Sequence, residues 1–262
     1  MSQRKRKKTR TKTKTRTKTK TRTRTKSRPV FDLERTADGN KSNMEIIDVP
    51  FSDKKSSGTR ATKGNIEFHY QKYSNMNNFF KTIHLKKLSH TYFYIDLICI
   101  NNKITPVYQK NSKIGNKHFA LFIINITTNE GNHANVALVN NHNKTIEFFE
   151  PHGYRKNKKS GIADFKGLYL KKKTLLRKIF NDLLPKYEFI DIVDHKRITS
   201  FQSQIDPDKN TGFCITWCIL FAHYRCLNPH ILLSRLINHL ARITTTKLLK
   251  YAKFIEETVK NK

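Results

Sequence analysis

Cysteine, histidine and a carboxylate are the residue types that make a nucleophilic triad, and this chain carries all three at informative places. Cys214 lies in DKNTGFCITWC, where a loop of turn formers with Gly212 gives way to an apolar run. A thiol at a helix start meets unpaired backbone N–H groups and the positive end of the helix dipole, and both favour its anion. His133 and Glu150 stand at the outer ends of two strand-like runs, ANVALVN and KTIEFF, that flank the polar turn NHNK. With paired positions summing to about 283, a two- or four-residue turn is expected to place His133 directly across the ladder from Glu150. A three-residue turn puts Ala134 there instead, and only the even turn leaves both side chains on one face. A carboxylate beside an imidazole fixes its tautomer and stabilises the imidazolium. The order is His, acid, Cys, with intervals of 17 and 64 residues. An oxyanion needs donors too, and SFQSQIDPD offers Gln202 or Gln204, with the Cys214 backbone N–H as a second donor.

These residues need a scaffold. TYFYIDLICI (91–100) and KHFALFIINIT (117–127) read as buried strands, followed by the two runs of the hairpin. Leu170, Leu175, Leu176, Ile179, Phe180, Leu183 and Leu184 recur at helical spacing until Pro185 ends the pattern. YEFIDIV (187–193) reads as another strand, and FCITWCILFAHYRC (213–226) as a helix apolar on all sides and hence buried. Two amphipathic helices, 229–242 after Pro229 and 245–259, complete the chain. The expected class is α+β, a mainly antiparallel sheet with helices packed against it.

His–acid–Gln–Cys in this order resembles the ubiquitin-like-protein (SUMO) protease superfamily, which includes the adenovirus protease, adenain. FEPHGY is similar to adenain's Phe-Glu-Pro-x-Gly segment. A nearer resemblance is to protease-like proteins of large nucleocytoplasmic DNA viruses. Their signatures stand here as His133-Ala-Asn135, Phe149-Glu-Pro-His-Gly153, Phe201-Gln-Ser203 and Gly212-Phe-Cys214, within about residues 117–230. The resemblance implies a papain-like, adenain-like cysteine protease fold. It assigns His133 as general base, Glu150 as its orienter, Gln202 to the oxyanion hole and Cys214 as nucleophile. Gln204 stays an alternative, being closer to adenain in its spacing to the cysteine. Better-known members carry Gly after the cysteine and Trp after the histidine; here Ile215 and Ala134 stand there. The chemistry needs no metal or other cofactor. Implied substrates are virion structural proteins or ubiquitin-like conjugates, in a virion or in host cytoplasm or nucleus.

The same residues admit other readings. Cys214, Cys218, His223 and Cys226 suggest zinc, but on a helix His223 points about 180° from Cys214, so one ion does not collect them. Cys218 and Trp217 read as core, His142 as an exposed turn residue, and His152 as a solvated neighbour of Glu150. The sequence has 52 Lys and Arg against 20 Asp and Glu, a net charge of +32. Residues 1–28 hold fifteen of those bases and no acid, alternating with threonine, so they are expected to be a disordered tail. The remaining chain still carries +17. That charge favours DNA or RNA as partner, and the rival function is a nucleic-acid-binding virion protein on a protease-derived scaffold. Residues 29–65 read as linker or extended arm and 66–262 as the protease-like domain. No secretory segment follows the basic start, so the protein is expected not to be secreted and its four cysteines to be free thiols. No run approaches the ~18 apolar residues of a membrane span.

Overall fold

The computed structural model describes residues 45–54, 73–83, 85–101, 103–109, 113–128, 131–151, 165–192, 201 and 213–260. The basic segment 1–28, His152, Gln202 and Gln204 lie outside the described residues. The described elements run α1 (Tyr73–Thr82), β1 (Leu88–Ile100), β2 (Lys103–Tyr108), β3 (Phe119–Thr128), β4 (Gly131–Asn140) and β5 (Thr145–Phe149). There follow α2 (Phe165–Leu183), β6 (Glu188–Asp191), α3 (Cys214–Leu227), α4 (Leu233–Leu240) and α5 (Thr245–Lys260). Six strands form one sheet in the order β2-β1-β3-β4-β5-β6. The β1–β2, β3–β4 and β4–β5 pairs are antiparallel, and β1–β3 and β5–β6 are parallel. The class is thus α+β and the sheet mostly antiparallel, as expected.

Strand alternation sends one set of side chains to each face of the sheet. Phe93, Ile95, Leu97, Phe122, Ile124, Ala137, Val139, Ile146 and Phe148 form a core with Leu176, Ile179 and Phe180 of α2. Phe93 stacks on Phe122 at 4.7 Å, and Phe122 meets the ring of Phe180 at 5.1 Å. Each such side chain contributes roughly 1.5–3 kcal/mol on burial. The opposite face receives α3, whose residues Cys214–Cys226 are all buried. Phe149 of β5 stacks on Phe221 of α3 at 4.7 Å. Behind α3 sit α1 and α5, where Phe79 meets His223, Tyr251 and Phe254 edge-on. Because α3 has sheet on one side and helices on the other, an apolar surface all round suits it.

Two elements were not expected, and one helix starts later than expected. β2 was not anticipated: it is a half-exposed edge strand containing Pro106, an interruption that only an edge tolerates. α1 was not assigned either. The helix expected over 229–242 begins only at Leu233. Arg225 explains the delay, because its Nη1 donates to the carbonyls of Asn228, Pro229 and Ile231 and holds that stretch in a turn. The same guanidinium pairs with Glu147 of β5 through Nε at 2.8 Å and Nη2 at 2.9 Å, which ties α3 to the sheet. Residues 45–54 run along the back of α3. Val49 is buried, and the Asn228 side chain both accepts from the Ile47 N–H and donates to the Ile47 carbonyl. No helix among the described residues is long and apolar enough to cross a membrane.

Candidate active site

The hairpin turn sets the geometry of the site. Asn140 Oδ1 accepts from the N–H groups of His142 and Asn143, both at 3.1 Å, which folds residues 141–144 into a four-residue turn. Lys144 closes it with φ 55, in the left-handed region. An even turn keeps His133 and Glu150 on one face. The ladder pairs Asn140 with Thr145 and Val136 with Phe149. One further step brings Glu150 level with Asn135, so the expected direct pairing of His133 with Glu150 is corrected to a diagonal one. A long carboxylate side chain spans a diagonal. Glu150 Oε1 lies 2.5 Å from His133 Nε2, and Oε2 accepts from Asn135 Nδ2 at 2.8 Å.

The third member comes from α3. β5 ends at Phe149, opposite Val136, and among the described residues no strand pairs with the earlier part of β4 on that side. The first turn of α3 fills the gap. Cys214 hydrogen-bonds the His133 side chain and the backbone of Ala134. With Nε2 on Glu150, Nδ1 is the ring nitrogen left for the sulfur. Cys218, one turn on, donates to the Ala134 carbonyl at 3.4 Å. Both polar backbone groups of Ala134 are thereby used by α3, and its short side chain allows the helix this close.

His133, Glu150 and Cys214 are 7 %, 2 % and 8 % exposed, so their charges interact with little solvent screening. Burial works to lower the His133 pKa. The Glu150 carboxylate and the hydrogen bonds to Cys214 and Glu150 outweigh it and lift the imidazole to about 9. Burial likewise opposes a Cys214 thiolate. The His133 hydrogen bond and charge, with the Ala134 backbone, prevail and bring the thiol below its ordinary value. Both shifts run in the direction of a thiolate–imidazolium pair. Cys214 opens the helix and Phe213 supplies no side-chain cap, and the first helical bond runs from the Trp217 N–H to the Phe213 carbonyl. The N–H groups of residues 214–216 precede that bond, the position from which a helix N-terminus donates to an oxyanion.

The other cysteines lie in different settings. All four are free thiols, as expected. Burial raises the pKa of Cys99, of Cys226 and, most strongly, of Cys218. His223, once weighed as a zinc ligand, bonds the Tyr251 hydroxyl at 2.9 Å. Trp217 packs against Phe201 at 5.4 Å, in the core as expected, and His142 is exposed.

The structure therefore brings together Cys214, His133 and Glu150. Gln202 and Gln204 fall outside the described residues, but Phe201 does not. Its N–H donates to the Pro151 carbonyl at 3.1 Å, and its ring contacts Phe149 and Trp217. The FQS segment thus starts beside the acid and the cysteine helix. Two site residues were missed in sequence. Asn135 is two positions from His133 on the same strand face, so the correct register would have revealed it. Lys172 of α2 lies 3.6 Å from Glu150 Oε2 and is buried. Its partner is 22 residues upstream across a helix–sheet contact, with no short-range pattern to mark it. Comparison with protein-family models, curated proteins and solved structures found no match for this chain.

Proposed function

We propose that this protein is a cysteine-type endopeptidase or isopeptidase with an adenain-like variant of the papain fold. The observation that carries the reading is the buried Cys214–His133–Glu150 array, with the sulfur at a helix N-terminus. In the proposed reaction the Cys214 sulfur attacks the carbonyl carbon of a peptide or isopeptide bond. A C–S bond forms, and the carbonyl π electrons move to oxygen. First-turn N–H groups of α3 and a Gln202 or Gln204 side-chain amide hold that oxyanion. The intermediate collapses, the C–N bond breaks, and His133 gives its proton to the leaving amine. His133 then takes a proton from water, whose oxygen attacks the thioester, and C–S cleavage releases the acid and restores the pair. Glu150 holds the imidazole throughout. Substrates are virion structural proteins or ubiquitin-like conjugates, and the setting is a virion or host cytoplasm or nucleus. The test is N-terminal profiling of a proteome-derived peptide library. Cleavages made by wild type and absent with Cys214→Ala support the reading; identical profiles overturn it.

A second activity is supported by a separate observation, the charge of +32 with fifteen bases in residues 1–28. That segment binds DNA or RNA and concentrates the enzyme near packaged substrates, or, in the rival reading, binding is the whole function. Deleting residues 1–28 lowers the slope of log affinity against log salt for duplex DNA if the tail neutralises phosphates. An unchanged slope removes the tail from the interface.

A further inference from the structure

Lysine is almost never fully buried unless paired, so a buried lysine beside a catalytic carboxylate calls for a reason. Lys172 projects from α2 to 3.6 Å from Glu150 Oε2, with its side chain 3 % exposed. Glu150 then has every side engaged: His133 on Oε1, and Asn135 and Lys172 on Oε2. The charges balance as well. With Lys172 and Glu150 both ionised, the site is neutral when Cys214 and His133 are both uncharged, and equally neutral when they form thiolate and imidazolium. Proton transfer between sulfur and ring conserves the total in any case; with Lys172 that conserved total is zero, which lowers the cost of holding the pair's charges in a dry site.

We propose that Lys172 is a positioning residue for this triad, acting through Glu150 to keep the carboxylate ionised and turned toward His133, so that the thiolate–imidazolium form of Cys214 and His133 is maintained. The inference rests on the protease reading above. Without the lysine, one of two things follows. Either Glu150 takes up a proton and His133 loses its anionic partner, or Glu150 stays charged and its uncompensated charge opposes a thiolate. Both weaken the thiolate on the acid side. Among the described residues, the groups around Lys172 and the triad include Asn135 on β4, Cys218 on α3, Cys99 on β1, and the Lys173–Asp191 pair, 3.0 Å apart, between α2 and β6. Among these, Lys173 and Asp191 already balance one another, and the thiols of Cys99 and Cys218 are held in their neutral form by burial.

The test is iodoacetamide labelling of Cys214 in the full chain from pH 4 to 10, resolved by peptide mass spectrometry. Lys172→Met is expected to move the acid-side midpoint up by about one unit, a roughly tenfold loss of labelling rate on that limb. Lys172→Arg, which keeps the charge, stays near wild type. In a Glu150→Gln background, Lys172→Met adds no further loss. If Lys172→Met does not fold, Lys172→Gln retains a donor to Glu150 without the charge and is expected to show the same shift. A folded neutral variant with the wild-type profile overturns the inference, as does a loss that simply multiplies with that of Glu150→Gln. An ordinary, slow thiol in wild type overturns the protease reading and this inference with it. An activated wild-type thiol with no effect at Lys172 overturns this inference alone.

Discussion

Ala134 and Cys214 are joined through the backbone of one and the sulfur of the other, on the side of β4 beyond the end of β5. The same residue's carbonyl accepts from Cys218, so the first turn of α3 is laid along β4 much as a strand would be. Ala134 is 2 % exposed with its side chain on the face toward α3. Ala134→Leu is expected to push the helix away, costing about 1–3 kcal/mol as overpacking does. It should also slow alkylation of Cys214 more than that of Cys99, whose setting on β1 is untouched. Denaturant midpoints and peptide-resolved labelling measure both. Equal slowing at both cysteines would point to general loosening rather than to this contact.

Asn135 shares Glu150 Oε2 with Lys172. Asn135→Leu removes a hydrogen bond to a buried carboxylate and leaves that oxygen one donor short. The expected cost is roughly 1–3 kcal/mol in urea unfolding. Asn135→Asp should cost more, because it sets a second carboxyl against the first. A tolerated Asp at this position would contradict the ionised state assigned to Glu150.

The pH dependence of stability separates the two halves of the pair. The His133 pKa is raised from 6.5 to about 9, so the fold favours its proton-bound form. Its contribution is complete below 6.5 and is lost as pH rises through the folded value. The lowered thiol of Cys214 behaves oppositely, contributing above its ordinary value of 9.0 and losing that as pH falls. From the folded Cys214 value up to about 9 the two effects oppose one another, so wild type changes less than either group alone would. In Cys214→Ser only the histidine remains, still raised by Glu150. Its unfolding free energy should fall relative to wild type as pH climbs from 6.5 toward 9. Parallel curves for the two proteins would refute the pair.

Arg225 and Glu147 form the other buried ion pair against α3, 3 % and 2 % exposed at the side chain. Arg225→Met strands a carboxylate and releases three carbonyls from their donor. Thermal or urea unfolding should show a loss of about 3–5 kcal/mol. The Arg225→Met, Glu147→Leu double variant should recover part of it. A double variant no better than the single would place the cost in the turn before α4 rather than in the orphaned charge.

Much of this molecule could be read from residue order, for identifiable reasons. α3 was legible because an unbroken apolar run of that length has few alternatives, and Cys214 because turn formers precede it. The hairpin was legible as two runs and a polar turn. Its register was misplaced by two, although a four-residue turn over NHNK pairs Asn140 with Thr145 and so sets Glu150 level with Asn135. That shift hid Asn135. β2 was obscured by its exposure and by Pro106, although it follows β1 closely, with Ile100 paired to Lys103 and Asn101 at φ 49. Lys172 was invisible for a different reason. One basic residue among several on α2 looks like a solvated face, and only packing of α2 on the sheet buries it.

The central claim is that His133 activates Cys214, and labelling tests it without any knowledge of the substrate. Full-length protein is treated with iodoacetamide at about pH 6, where an ordinary thiol is mostly protonated and reacts slowly. Wild type is predicted to label rapidly at Cys214 and slowly at Cys99, Cys218 and Cys226, and the Cys214 reaction should slow sharply in His133→Ala. Uniformly slow labelling of all four cysteines, or fast labelling of Cys214 that persists without His133, would contradict it.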